Sequence, residues 1–310
     1  MFKFRRILFV CSTEGSQPNP VDRVIELAYA HGAEVTLATF EEKVPRRKQR
    51  VLAGVMPVEE FERLVAERQR EGLARIAAEF EGAGVNVSSR VLSGRRSLAL
   101  IREVLSDHHD IVVKTRESTD TSRLSSEDQR LLRKCPCPVL VLDPEVKFRR
   151  ILAAVDPDTE DAEQLALSQR VISLAADLAT IHKAELHVVH AWDFLGEEML
   201  YEGFGRLTHH EIEDLLSRQE ELHRVALAEL LDNYEQDVPH TSYLRRGSPA
   251  SVICSVATEV EADMVVLGTV GRTGIRGFFV GNTAESVLQQ VQGAVLALKP
   301  VGFQSPVADS

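Results

Sequence analysis

Glycines stand at positions 268, 271, 274, 277 and 281, within the segment GTVGRTGIRGFFVGNTAESVL. Five in fourteen residues is far above the ~7% average use of glycine. Glycine lets a backbone pass through φ > 0 and lets its N–H groups close on an anion, which is the chemistry of holding a phosphate. An apolar stretch, DMVVLGT, precedes the loop, and a helix is predicted to begin near Asn282. The free N–H groups and positive dipole end of that helix favour an anion, and Asn282 and Thr283 can donate from their side chains. Arg272 and Arg276 stand where they can reach phosphate or simply be solvated. The Walker spacing and its lysine are absent, and the dinucleotide fingerprint belongs after the first strand of a unit. Such glycines also suit a plain surface connection; the strand–loop–helix context favours phosphate.

Other chemistry is sparse. No G-x-S-x-G, H-E-x-x-H or calcium-loop pattern occurs. His209 and His210 lie inside a capping box, Thr208 to Glu211, and read as a solvated helix start. His187 and His190 lie three apart on one strand and face opposite ways, so His190 either lines a pocket mouth or packs. With no poised base beside the loop, no catalytic residue is expected, and binding with little or slow hydrolysis is. Cys11, Cys135, Cys137 and Cys254 read as reduced thiols. Cys135 and Cys137 sit two apart in CPCP without a second Cys or His pair, and no metal site is expected there.

The net charge of −11 disfavours nucleic acid or an anionic membrane surface as the partner. No apolar run reaches the ~18 residues of a membrane span. The opening MFKFRRILFVCSTEG has too short an apolar stretch for a signal peptide, whose core needs about 7–15 residues. A cytoplasmic protein is expected.

The elements that position the loop are written twice. KFRRIL occupies 3–8 and again 147–152. Each copy is followed by an amphipathic helix (21–34, 165–185) and a short strand (35–40, 186–192). A long helical segment follows, and in the second copy Ile212, Leu215, Leu216, Leu222 and Val225 trace its apolar stripe. Third strands at 85–92 and 241–246 end near Gly94 and Gly247. A helix and a buried strand come next, opened by Asp110 and Asp263, and a last helix leads to PVLVLD (138–143) and AVLALK (294–299). The pattern predicts an α/β protein with two tandem, open, five-stranded parallel sheets of Rossmann-like type. The domains are read as 1–144 and 145–310. Their apolar last strands suggest that the two pair as an internal pseudo-dimer, with a further homodimer left open.

The spacing Gly268-x2-Gly271-x9-Gly281-Asn282 resembles the ATP-binding motif of the universal stress protein family. The resemblance covers both halves and is strongest to the tandem-domain, E-type members. It implies an adenine nucleotide α-hydrolase-like fold, ATP with or without magnesium as the ligand, and a regulatory role in stress through protein partners not identifiable from sequence. It further implies that Asp156 faces the ribose and adenine and that the backbone of Ala191 recognises the adenine edge. Leu267, Gly268, Gly271, Gly281, Asn282 and Thr283 match the phosphate and ribose shell. Asn282 departs from the family's Ser or Thr, and Ala284 from a further hydroxyl position.

In the first half the equivalent segment, 114–142, has no glycine in its loop. Thr115, Ser118, Ser125 and Ser126 replace Gly268, Gly271, Gly281 and Asn282, and Ser12 replaces Asp156. Glu127 and Asp128 at the helix start suit its dipole but repel phosphate. The first domain therefore reads as degenerate, with a structural or partner-binding role. The alternative for the whole chain is a nucleotide-independent scaffold or a binder of an apolar or amphiphilic small molecule. The lost loop, Asn282, Ala284 and the apolar run Phe278–Phe279–Val280 support that alternative.

Overall fold

The computed structural model describes residues 3–13, 20–116, 125–142, 147–157, 161–194, 197–201, 207–232, 238–269, 282–291 and 293–307, with the side chains of 46, 197, 198 and 282 excepted. The chain divides into two compact units. One comprises Lys3–Val146 with Gln304–Ser310; the other comprises Lys147–Phe303 with the first two residues.

The first unit runs β1 (Arg6–Val10), α1 (Val21–His31), β2 (Glu34–Phe40), α2 (Arg46–Leu52), α3 (Val58–Gly82), β3 (Val87–Leu92), α4 (Arg96–Asp107), β4 (Ile111–Thr115), α5 (Ser126–Lys134) and β5 (Val139–Leu142). Its five strands pair in parallel in the order β3-β2-β1-β4-β5. The second unit runs β6 (Arg150–Ala154), α6 (Ala162–His182), β7 (Glu185–Trp192), α7 (Glu197–Tyr201), α8 (His209–Asp232), β8 (His240–Arg246), α9 (Pro249–Glu259), β9 (Met264–Gly268), α10 (Asn282–Gln290) and β10 (Ala294–Leu298). Its order, β8-β7-β6-β9-β10, repeats that of the first unit. Helices cover both faces of such sheets, so the central strands are unbroken apolar runs. RILAA of β6, MVVLG of β9 and AVLAL of β10 are almost wholly buried, whereas VSSRVL of β3 is largely exposed.

The repeated KFRRIL has a structural cause. Asp110 accepts the backbone N–H groups of Arg5 and Arg6 at 2.6 and 2.9 Å. Asp263 does the same for Arg149 and Arg150 at 2.8 and 2.9 Å. Each aspartate returns its own N–H, to Arg6 O and Arg150 O respectively, at 2.9 Å. The carboxylate thus clamps the start of the central strand to its neighbour; hydrogen bonds to a charged group are worth about 1.5–3 kcal/mol each. The phenylalanine of the repeat packs its ring on the last histidine of the following helix, Phe4 on His31 at 4.9 Å and Phe148 on His182 at 4.7 Å.

Several helix limits differ from the sequence expectation. α1 stops at His31 because Gly32 turns left-handed at φ 61°, and α6 stops at His182 where Lys183 takes φ 52°. The stripe on α8 also differs. Leu222 and Val225 are exposed, and the buried face is Ile212, Leu216, His223, Leu227 and Leu230. A histidine occupies a register position that an apolar pattern does not pick out. The capping box forms as expected: Glu211 accepts the N–H and hydroxyl of Thr208 at 2.7 and 2.8 Å.

Candidate functional site

In the second unit β7 and β8 lie to one side of β6, and β9 and β10 to the other. The strand order therefore reverses between β6 and β9, and ligands of open α/β sheets bind outside the carboxyl ends of the strands at such a point. Leu267, buried, pairs with Ala154 across that junction, and Gly268 ends β9. Asp156 follows the end of β6, and Ala191, half-buried, lies near the end of β7 on the other side of β6. In a parallel β9–α10–β10 crossover the helix runs back against the strands, which puts its N-terminus at this same edge. Thr283 is half-buried and Ala284 buried in the first turn of α10, which opens at Asn282. Gly271, Arg272 and Gly281 lie outside the described residues.

The loop carrying Asp156 is fixed through its backbone. The hydroxyl of buried Ser168, on α6, donates to Asp156 O at 3.0 Å and accepts from Asp156 N at 3.1 Å. Gly268 has a packing reason to be glycine. A Cβ there would stand 2.6 Å from Leu167 Cδ2 and 2.9 Å from its Cγ. Its lack of a side chain is thus accounted for by the approach of α6 to β9, whatever it does for a ligand.

Behind Asp156 is a hydrogen-bonded chain that sequence reasoning missed. His190, 1% exposed, has Nδ1 3.2 Å from Val155 O and Nε2 3.0 Å from Nδ1 of buried His223. A carbonyl only accepts, so His190 carries its proton on Nδ1. Its Nε2 then accepts from His223 Nδ1–H, and His223 Nε2 accepts from the Gln219 amide at 3.1 Å. The partners fix both tautomers. Trp192 stacks on His223 with centroids 5.4 Å apart and planes 24° from parallel. The readable signal was His223 standing four residues before Leu227 and seven after Leu216, on the buried face of an otherwise leucine-lined helix. Of the two readings left open for His190, the packed and hydrogen-bonded one holds.

The first unit fills the same place with side chains. The parallel registers make Val10 equivalent to Ala154 and Ala38 equivalent to Val189. It follows that Phe40 stands where Ala191 does and Lys114 where Leu267 does. Counting back from the last strands sets Asp128 at the position of Ala284. Lys114 and Asp128 form a buried ion pair, their side chains 4% and 0% exposed. Asp128 also closes a capping box, accepting Ser125 N–H at 3.1 Å and Ser125 Oγ–H at 2.8 Å. The chain's own carboxylate occupies the N-terminus of α5. Phe40 is buried, with the Arg96 guanidinium 5.1 Å over its ring. Glu127 accepts the Ser97 N–H at 3.0 Å and pairs with Arg130 at 2.7 Å. Burial pushes its carboxyl up, but the Ser97 hydrogen bonds and the charges of Arg130 and Arg95 outweigh this and hold it below its ordinary value.

Among the described residues no three His, Cys, Asp or Glu side chains gather as a metal site, and no helix is long and apolar enough to cross a membrane.

A family model described as "Universal stress protein family" matches residues 3–143 and again 147–299. Universal stress protein E of Escherichia coli K12 is 32% identical over 232 residues, covering 73% of this chain and 72% of its own. The universal stress protein E homolog of Haemophilus influenzae is 31% identical over 250 residues, 78% of this chain and 79% of its own. A solved structure from Pseudomonas aeruginosa, titled as functionally unknown, superposes with a TM-score of 0.71 at 25% identity, over 99% of this chain and 95% of that one.

Proposed function

The chain belongs to the universal stress protein family, and we propose that its second unit binds an adenine nucleotide, ATP foremost, to regulate a cytoplasmic stress response. The observation that carries this reading is the contrast at one switch point. Where the first unit places Phe40 and the Lys114–Asp128 pair, the second has Ala191, Leu267 and Ala284. Small and apolar residues there leave the strand ends and the N-terminus of α10 to a ligand.

The residues present fit an adenine nucleotide. The Ser168 clamp holds Asp156 beside the crevice, where its carboxylate suits ribose hydroxyls. Backbone at Ala191 and Leu267 suits the base edge, and Gly268, Gly271, Gly281, Asn282 and Thr283, with Arg272, suit the phosphates. The nucleotide supplies the anionic charge that the helix dipole attracts. His190 and His223 already have their hydrogen bonds satisfied by one another, Val155 and Gln219, so neither is poised as a base. Binding with little hydrolysis follows.

Isothermal titration with ATP, with and without magnesium, tests the proposal. The expected result is one saturable site per chain, lost in Gly271→Val and retained in Phe40→Leu. No binding, or two equal sites per chain, overturns it. Native mass spectrometry of the purified protein separates the alternative, since a co-purifying amphiphile in place of ATP or ADP would favour the nucleotide-independent binder.

A further inference from the structure

At the amino edge of the first unit's strands, Cys135 ends α5 and Cys137 leads into β5. Their Sγ atoms are 3.5 Å apart. The backbone holds them there. Cys135 N–H donates to Leu131 O at 2.8 Å, and Pro138 O accepts from Val112 N at 3.0 Å. Pro136 fixes one backbone rotation between the two thiols, its φ, near about −65°. Cys135 is fully buried and Cys137 9% exposed, with half-buried Lys134 and Pro136 beside them.

The turn itself does not need sulfur. By strand register, Val291 and Gly293 build the same helix-to-strand connection in the second unit. The pair is thus particular to the first copy, and nothing in the fold requires it.

Two sulfurs with no third donor among the described residues do not make a zinc site, which needs four ligands when structural. They suit a thiophilic centre that brings its own remaining substituent. We propose that Cys135 and Cys137 form a dithiol site for trivalent arsenic, as arsenite or an organoarsenical. Binding is a condensation. With R–As(OH)2, two As–O bonds break, two As–S bonds form, and each thiol proton leaves with a hydroxide as water. No electrons are transferred and no oxidant is required. Closure to a disulfide is a two-electron oxidation, which the arsenical does not carry out. It would also bring the sulfurs from 3.5 Å to about 2.05 Å. A pair already held at chelating distance loses little freedom when it binds.

The test uses the reduced full-length protein and phenylarsine oxide at one equivalent. After excess reagent is removed, the protein is unfolded and its thiols counted with a disulfide reagent. Of the four cysteines, two should be protected, and in Cys11→Ser/Cys254→Ser both remaining thiols should be. Cys137→Ser should weaken retention at least about 100-fold, the loss of one arm of a chelate. Arsenite should compete for the same two thiols. The proposal is overturned if all four thiols remain free, if protection persists in Cys137→Ser, or if it occurs only after unfolding. Loss of two thiols without arsenical, reversed by a reductant, overturns it too by showing a disulfide.

Discussion

Exchanging the buried pair of the first unit for the residues of the second tests whether the ion pair fills the switch point. Lys114→Leu leaves the Asp128 carboxylate, 0% exposed, with its Ser125 donors at 2.8 and 3.1 Å among the described residues. Breaking a buried pair by removing one partner costs about 3–5 kcal/mol, and the surviving Ser125 bonds put this variant at the low end, about 3 kcal/mol. Asp128→Ala takes the carboxylate from buried Lys114 and also the cap, which adds about 1 kcal/mol, for about 5 in all. In Lys114→Leu/Asp128→Ala no charge is stranded, and a buried ion pair replaced by apolar residues is often neutral or better. The double variant should lie within about 2 kcal/mol of the parent, so the two changes couple by about 6 kcal/mol. Two units need not unfold together, so the assay is native-state hydrogen exchange read at β4 and α5. Additive losses, about 8 kcal/mol in the double variant, would refute the idea that each charge of the pair is there to match the other.

Other outcomes follow from single sites. Gly293 has φ 88°, and a Cβ there would lie 2.6 Å from Asp263 O, so Gly293→Ala should cost about 2 kcal/mol in urea unfolding of the second unit. His223→Phe keeps the ring beside Trp192 but removes the Nδ1–H donor of His223 to Nε2 of buried His190, a loss of about 1–3 kcal/mol that the same unfolding curves would show. Burial lowers His109 and His187 below the ordinary histidine value, although nearby carboxylates partly oppose it. The unfolded chain therefore binds protons first. Stability should be full above about pH 6.5 and fall as pH drops from there toward the folded values. Thermal melts at about pH 7.5 and 5.5 read the fall, and His109→Asn should flatten it.

What sequence reveals here divides by range. The duplication, the strand and helix alternation and the capping box at Thr208 are local patterns, and the matched Asp110 and Asp263 stood out because their offset, 153, is that of Gly94 and Gly247. Their clamp role, by contrast, joins residues 105 and 114 apart in the chain and emerged only with the fold. The filling of the first unit was half visible. Asp128 was seen as hostile to phosphate, but its partner is a lysine inside the apolar run IVVKT, and only the fold shows that the Lys114 and Asp128 side chains meet. Phe40 escaped notice because its equivalence to Ala191 depends on the β1–β2 and β6–β7 registers together. Gly268 carries the opposite lesson. Its place in the glycine spacing suggested a cradle, yet the close approach of the Leu167 side chain is a packing reason for a residue without Cβ there. The case for a ligand therefore cannot rest on counting glycines. It rests on what one copy has put into the crevice and the other has left out, a comparison available because the chain carries both copies and the fold aligns them strand by strand.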